Sequence, residues 1–220
     1  MMKPDGKVVI LGDVNVGKSS LLQRYTERRF QDTLSTVGAA FYLKHWGNHS
    51  ISIWDTAGRE QFHGLGSMYC RGAAAVILTY DVTNRQSLWE LEDRFLALTD
   101  SALPGCIFAV AGNKWDLTEE CAQAEGEACP RAQRQVRRED AIHLYNQLLR
   151  YRMLEEGALP PAHTMCFETS AKSGHNVDLL FETVLETVVS GMASKPKEPS
   201  QTVDLRHSAK PEQSRATCCT

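Results

Sequence analysis

Gly12-Asp13-Val14-Asn15-Val16-Gly17-Lys18-Ser19 fits the pattern GxxxxGK[ST], and this stretch decides the fold. The four residues Val8-Val9-Ile10-Leu11 before it form an apolar run of the kind found in buried parallel strands. After Lys18 the apolar residues recur at helical spacing, at Leu21, Leu22 and Tyr25. The stretch is therefore predicted to be the loop between a strand and the helix that follows it.

That order has a chemical reason. Glycines in such a loop let main-chain N–H groups surround phosphate oxygens, and the N-terminus of the next helix adds its positive dipole end. Lys18 would neutralise charge on the β- and γ-phosphates, and the Ser19 hydroxyl would bind Mg²⁺. We therefore predict a nucleotide-binding site at this loop.

The chain from Lys7 to about Val189 alternates strand and helix patterns. Further strands are predicted at 40–46, 50–54, 73–80, 106–111 and 165–167, the first two joined in a hairpin at Gly47-Asn48. Helices are predicted at 87–98, 140–154 and 177–189. This alternation predicts one α/β domain with a mostly parallel, six-stranded sheet and helices on both faces.

Composition excludes several classes of protein. The 220 residues carry a net charge of −3, with 42% hydrophobic and 23% charged residues, which argues against a wholly disordered, fibrous or dedicated nucleic-acid-binding chain. Neither a signal-peptide core nor an apolar run of membrane-spanning length occurs. Five of the seven cysteines are interpreted as reduced thiols, whereas the adjacent pair near the C-terminus needs another explanation.

Two further motifs follow predicted strands. Asp55-Thr56-Ala57-Gly58 places a carboxylate where it can hold Mg²⁺ through water, although a strand-ending Asp alone is more often a turn residue. In Asn113-Lys114-Trp115-Asp116, the Asp116 carboxylate can accept hydrogen bonds from N1–H and the 2-amino group of guanine. In isolation this second motif also fits a strand-exit turn. The preceding motifs favour guanine recognition.

These segments resemble, in order, the five guanine-nucleotide motifs of Ras-superfamily small GTPases: Gly12–Ser19, Thr36, Asp55–Gly58, Asn113–Asp116 and Glu168-Thr169-Ser170-Ala171-Lys172. The segments around Thr36–Phe41, Trp54 and Tyr69, with the terminal cysteines, are similar to the Rab family. The sequence Asp55–Phe62 and an insertion after Asp116 resemble its divergent Rab-twenty-like branch.

The resemblance implies a role for each matching position. Nucleotide contacts are implied for Asn15, Val16, Gly17, Lys18, Ser19, Ser20, Phe30, Thr36, Gly58, Asn113, Lys114, Asp116, Ser170, Ala171 and Lys172. Mg²⁺ is implied as the cofactor, with GTP or GDP as ligand, held by Ser19, Thr36 and Asp55. The implied catalytic set is Lys18, Thr36, Gly58 and Arg59. An effector surface is implied at Phe41, Trp54 and Tyr69, for which ordinary packing is the alternative.

Two departures from the family concern hydrolysis of GTP. Arg59 occupies the position at which the family has a glutamine that orients the attacking water, and Val14 is bulkier than the usual residue near the γ-phosphate. We expect slow hydrolysis without an activating protein of the TBC type. The alternatives are a GTP-binding scaffold with negligible hydrolysis and, from another class, a P-loop ATPase or small-molecule kinase.

The domain organisation is predicted as a Ras-like GTP-binding domain at 1–192, with a surface insertion at about 119–135, and a flexible tail at 193–220. The tail has five basic and three acidic residues, a charge of +2, so 1–192 carries −5 of the total. Cys218-Cys219 resembles the Rab ending that receives two geranylgeranyl groups, the alternative being a frayed terminus with incidental thiols.

The resemblance also implies partners and a location. The partners are effectors of the GTP state, an exchange factor, a TBC-type activating protein, a prenylation escort and a GDP-dissociation inhibitor. We expect a monomer that does not bind nucleic acid. The expected location is the cytoplasmic face of endosomal, phagosomal or Golgi membranes with a cytosolic pool, and Ala39-Ala40 before Phe41 is similar to endosomal Rabs.

Overall fold

The computed structural model describes residues 4–31, 35–58, 63–119, 134–154 and 159–193. Its centre is a six-stranded sheet in the order β2-β3-β1-β4-β5-β6. The strands are β1 (Gly6–Leu11), β2 (Ala39–Trp46), β3 (His49–Thr56), β4 (Ala75–Asp81), β5 (Ile107–Asn113) and β6 (Cys166–Glu168). Strand β2 pairs antiparallel with β3, and all other pairs are parallel. The predicted sheet, including the hairpin at Gly47-Asn48, is confirmed.

Helices cover the sheet. They are α1 (Lys18–Glu27), α2 (His63–Cys70), α3 (Arg85–Glu90), α4 (Asp116–Glu119), α5 (Arg138–Tyr151), α6 (Ala162–Met165) and α7 (Val177–Ala193). Every residue of β4 and β5 is buried. Because successive side chains of a strand point to opposite faces, burial of all of them requires cover on both faces. Between α1 and α7, the Tyr25 and Phe181 rings stack at 4.5 Å.

The single helix predicted at 87–98 is wrong. Helix α3 continues into a π turn at Leu91–Phe95 and then a 3-10 helix at Ala97–Ser101. In the π turn the N–H of Leu96 donates to the carbonyl of Leu91 at 3.2 Å. Leu88, Leu91 and Phe95 are all buried, but their spacing is that of an ordinary α-helix and gives no sign of the extra residue in this turn.

Other differences concern the ends of elements and three short helices. No helix was predicted from the sequence at α2, α4 or α6, each of which has eight residues or fewer. Strands β3 and β5 are longer than predicted and end at Thr56 and Asn113, so Asn113 is part of its strand and does not follow it. Tertiary pairing extends these ends: Thr56 is opposite Ala39, and Asn113 is opposite Asp81.

Several predicted features lie outside the described residues. These are Arg59, positions 120–133 of the predicted insertion, and the predicted tail beyond Ala193, which includes Cys218 and Cys219. In the part of the chain that is described, none of the helices combines the length and apolar character needed to cross a membrane.

Candidate functional site

One cleft lies where β1, β3 and β5 end, at the carboxyl edge of the sheet. All predicted nucleotide-binding residues line it except Val16 and Ser170, which are buried behind its wall. The sequence interpretation did not include Ser35, Thr56 or Leu117, which also line it. Residues more than 150 positions apart in the chain therefore meet at one site, at the edge where ligands bind in open parallel sheets.

The loop from Gly12 to Ser19 can have only glycine at two of its positions. Gly12 has φ 149°, and a Cβ there would lie 2.2 Å from the carbonyl oxygen of Thr79. Gly17 has φ 95°, and a Cβ there would lie 2.3 Å from Nδ2 of Asn113. A main-chain carbonyl at the first position and a buried side-chain amide at the second leave no space for a side chain. The glycines therefore allow the loop to turn tightly over β4 and β5.

Lys18 is the buried cation of the cleft. Its Nζ donates to the carbonyl oxygens of Gly12 at 2.9 Å and Asp13 at 2.7 Å, and the residue is only 6% exposed. Burial lowers the pKa of Lys18 to about 8, against the opposing effect of the nearby Asp55 and Asp13 carboxylates. A lysine held this way is available to bind an anion in the cleft.

Three oxygen-bearing side chains meet beside Lys18. The Ser19 hydroxyl donates to Oδ2 of Asp55 at 2.6 Å and lies 2.9 Å from Oγ1 of Thr36, which in turn donates to Oδ2 of Asp55 at 3.2 Å. Oδ1 of Asp55 is buried without a hydrogen-bond partner, and burial raises the pKa of this carboxyl. Two hydroxyls and a carboxylate with an unsatisfied oxygen are the hard ligands that Mg²⁺ prefers, so the predicted metal ligands fit the ion.

No other metal centre is found among the described residues, because no cluster of His, Cys, Asp and Glu there could hold an ion.

Asn113 joins the loop at 12–19 to the loop that contains Ala171. Its Nδ2 donates to the carbonyl of Val16 at 2.9 Å, and its Oδ1 accepts from the N–H of Ala171 at 3.1 Å. The residue is 2% exposed, so both halves of its amide must be satisfied within the protein. Asn113 thus positions two loops of the cleft.

Lys114 and Asp116, the two charged residues of the same motif, also line the cleft. Lys114 has a left-handed backbone, φ 67°, and its Nζ lies 2.7 Å from Oδ2 of Asp81. Oδ1 of Asp116 accepts from the Ser170 hydroxyl at 2.6 Å. Ser170 therefore holds the Asp116 carboxylate from behind the wall of the cleft. Asp81, the partner of Lys114, was not predicted from the sequence.

Arg24 of α1 is a further missed residue. Its Nε donates to the carbonyl of Ala171 at 2.7 Å, and its Nη2 donates to that of Lys172 at 2.5 Å. No local pattern connects Arg24 with a loop about 147 positions later, because only the packing of α1 beside that loop brings them together. The guanidinium holds the loop by its main chain.

Comparison with known proteins identifies the family. Residues 7–190 match the sequence profile of the Ras family. The chain is 61% identical to human Ras-related protein Rab-20 and 59% identical to mouse Rab-20, with the whole of each chain covered. It is 33% identical to mouse Rab-22A over 97% of each chain.

The chain belongs to the Rab family of small GTPases. The predicted Rab-twenty-like branch is confirmed, as is the small-GTPase fold. As a Rab protein it is a GTPase of vesicle traffic that binds GTP and GDP, and its partners are of the kinds that Rab proteins have: effectors, exchange factors, activating proteins and a GDP-dissociation inhibitor.

In this Rab protein, Gly58 lies against the phosphate loop. A Cβ there would come within 2.4 Å of the Val14 nitrogen and 2.6 Å of the Asp13 carbonyl oxygen, so no other residue fits this contact. Val14 lines the cleft and is 38% exposed. Phe30 also lines the cleft and is 46% exposed, and its contact with the base stays a prediction.

The three aromatic residues predicted as the effector surface form one chain of rings. Phe41 and Trp54 are 5.7 Å apart between ring centroids, and Trp54 and Tyr69 are 6.1 Å apart. Phe41 is 63% exposed, whereas the other two are partly buried against the core. Packing against the core therefore explains why Trp54 and Tyr69 are aromatic, but it does not explain the exposed ring of Phe41. The effector role of the three residues stays a prediction.

Proposed function

We propose that this Rab protein is a GTP/GDP switch in which Ser19, Thr36 and Asp55 hold Mg²⁺ and Asp116 selects guanine. The observation that carries the proposal is the meeting of these three oxygen ligands beside Lys18 in a cleft that Asp116 also lines. When bound, Mg²⁺ supplies positive charge that neutralises the phosphates during transfer.

The residues of the cleft suggest how a γ-phosphate changes the surface. Thr36 and Gly58 stand at the cleft, and between their segments the N–H of Ala57 donates to the carbonyl of Gly38 at 2.9 Å. A ligand that holds Thr36 and the N–H of Gly58 also holds the ends of β2 and β3, where Phe41 and Trp54 stack. Release of both contacts after hydrolysis loosens this surface and lowers affinity for effectors.

Slow intrinsic hydrolysis is part of the proposal. Arg59 replaces the water-orienting glutamine, and the branched side chain of Val14 lines the cleft in which the attacking water would have to be placed. Lys18, Thr36 and Gly58 still bind and orient the phosphates, so an activating protein that brings its own polar groups can restore turnover.

Single-turnover hydrolysis of bound GTP tests this part. Arg59→Gln should raise the rate about tenfold or more, because an oriented water returns. A wild-type rate typical of Rab proteins that Arg59→Gln leaves unchanged would contradict slow turnover. If a TBC-type activating protein also fails to produce hydrolysis, the protein is a GTP-binding scaffold instead.

Membrane attachment is proposed through two geranylgeranyl groups on Cys218 and Cys219, carried by a tail at 193–220 behind a GTP-binding domain at 1–192. Two lipids give stable attachment, whereas the tail charge of +2 is too small to do so alone. The double change to serine at both cysteines should move the protein from membranes to the cytosol. Cys121→Ser with Cys129→Ser is the matched control and should leave it on membranes.

Endocytic or phagosomal membranes are the proposed location, with Golgi as the alternative, and a prenylation escort and GDP-dissociation inhibitor maintain a cytosolic pool. The support is the similarity of Ala39-Ala40-Phe41 to endosomal Rabs. The tagged full-length protein should concentrate on endosomes or phagosomes, and the lipid-free double-serine variant should not. Concentration of the lipidated protein on secretory vesicles would contradict this location.

A further inference from the structure

Two aromatic rings join the loops on the base side of the cleft. Trp115 and His175 stack face to face, with 3.9 Å between ring centroids and 12° between planes. Trp115 stands between Lys114 and Asp116 of the guanine motif, at its variable position, and His175 follows the Ser170-Ala171-Lys172 turn. The stack is therefore a feature of this chain's own residues and not a requirement of either motif.

The stack closes a ring of contacts around Asp116. The N–H of Trp115 donates to the carbonyl of Thr169 at 3.0 Å, and the N–H of Ser170 donates to the carbonyl of His175 at 3.1 Å. The Ser170 hydroxyl then donates to Oδ1 of Asp116 at 2.6 Å. The first and third of these bonds join the two loops, and the second lies within the loop that contains Ser170. The ring stack adds a further side-chain contact between the two loops.

The stack is itself held in place. Nδ2 of Asn176 lies 3.0 Å from Nε2 of His175 and donates to the carbonyl of Glu168 at 3.0 Å, so the imidazole is tied to the end of β6. Neither Trp115 nor His175 lines the cleft. They can therefore influence a bound base only through the residues that they position.

We propose that the Trp115–His175 stack is a positioning element that holds the Asp116 carboxylate in register with guanine, and so sets the selectivity of this chain for guanine nucleotides. The inference rests on the proposed function, because it requires guanine in this cleft. The carboxylate accepts two hydrogen bonds, from N1–H and from the 2-amino group of guanine, and a tilted carboxylate loses their shared geometry. The Lys18 ammonium, which would contact the phosphates, is held by the carbonyl oxygens of Gly12 and Asp13 and by neither ring of the stack.

Inosine diphosphate provides the test, because it keeps N1–H and the phosphates of GDP but lacks the 2-amino group. Dissociation constants for GDP and inosine diphosphate are measured on the full-length protein with Mg²⁺, and the ratio of the inosine diphosphate value to the GDP value reports the position of Asp116. Trp115→Ala and His175→Ala should each weaken GDP binding about three- to tenfold, the range of a stacked aromatic pair. Inosine diphosphate should weaken less, so that the ratio falls.

Matched variants separate positioning from general loss of structure. Trp115→Phe and His175→Phe keep a stacked pair and should keep most of the wild-type ratio, and the double alanine variant should be no worse than either single one. Trp89→Ala and His143→Ala remove an exposed indole of α3 and an exposed imidazole of α5, and should leave the ratio unchanged. Asp116→Ala should abolish the preference for GDP over inosine diphosphate and so gives the lower limit of the ratio.

The outcomes are distinct. If Trp115→Ala and His175→Ala keep the wild-type ratio, either because neither affinity changes or because both affinities fall by the same factor, the positioning role is wrong while the proposed function stands. If the wild-type protein does not prefer GDP over inosine diphosphate, recognition of guanine by Asp116 is itself wrong, and the inference is overturned with it.

Discussion

Asn113 donates its side-chain N–H to the carbonyl oxygen of Val16 at 2.9 Å, across 97 positions of the chain. Both residues are buried, at 2% and 1% exposure, so water cannot replace this bond. The contact joins the end of β5 to the phosphate loop. It also explains why position 17 is glycine, since a Cβ there would meet the same amide nitrogen.

The first prediction removes that donor. Asn113→Asp keeps an acceptor for the N–H of Ala171 but places a carboxylate oxygen against the Val16 carbonyl, two acceptors facing each other without water. We expect the free energy of unfolding to fall by about 1–3 kcal/mol and a fluorescent GDP analogue to dissociate about tenfold faster. Denaturant titration and dissociation kinetics measure both.

The matched control is Asn84→Asp. Oδ1 of Asn84 caps α3 by accepting from the N–H of Gln86 at 3.0 Å, and aspartate caps helices equally well. This variant should leave stability and dissociation near wild type. Equal behaviour of the two variants would contradict a special role for Asn113.

The second prediction concerns Lys18 and pH. The pKa of Lys18 is about 8 in the folded protein against an ordinary value of 10.5, so between these pH values the unfolded chain holds a proton that the folded protein has released. The free energy of unfolding of nucleotide-free protein should therefore gain a contribution of up to about 1.4 kcal/mol per pH unit as pH rises above 8. Below pH 8 this contribution levels off.

The measurement is the difference between wild type and Lys18→Met in denaturant titrations at pH 7.5, 8.5 and 9.5. The difference is needed because burial raises the pKa values of three thiols, which act in the opposite direction at alkaline pH: Cys70, Cys106 and Cys166. A difference that stays constant over this pH range would show that the Lys18 ammonium is not desolvated.

The third prediction concerns Mg²⁺. Ser19→Ala removes the hydroxyl that lies 2.6 Å from Asp55, and with it one proposed ligand of the ion. GDP should dissociate about ten- to a hundredfold faster from the variant, the range expected for a lost bond to a charged group. Removal of Mg²⁺ with EDTA should accelerate dissociation from wild type and have little further effect on the variant.

Ser101→Ala is the control for this experiment, because its hydroxyl donates to carbonyls near the 3-10 helix and not to the cleft. It should respond to EDTA as wild type does. A full EDTA response in Ser19→Ala would exclude Ser19 as a ligand of the ion.

The fourth prediction tests Arg24. Arg24→Lys keeps the charge but loses the planar fork that holds the carbonyls of Ala171 and Lys172. We expect GDP to dissociate about three- to tenfold faster, since one of two hydrogen bonds is lost. Arg29→Ala, which removes only an exposed ion pair with Glu27, should behave as wild type. No acceleration in Arg24→Lys would show that the loop holds itself.

The sequence interpretation was strongest where chemistry is local. The strand, glycine loop and helix around Lys18 were all predicted, because glycine conformation and helical spacing are properties of neighbouring residues. The π turn after Glu90 was not predicted, because Leu88, Leu91 and Phe95 have the spacing of an ordinary α-helix. The motif residues line one cleft or lie directly behind it, but Arg24 and Asp81, which hold Ala171 and Lys114 in place, were not predicted.

The sequence by itself determined the fold class, the order of the strands and of the longer helices, and most of the residues that line the cleft, because these depend on short-range periodicity and on motif chemistry. Only the tertiary structure decided that Arg24 holds the Ala171 loop, that Asp81 pairs with Lys114 and that Trp115 stacks on His175. Each of these contacts joins residues that are distant in the chain. The packing of α1 beside the Ala171 loop brings the first pair together, and the meeting of the carboxyl ends of parallel strands at one edge brings the other two together, so no local pattern predicts them.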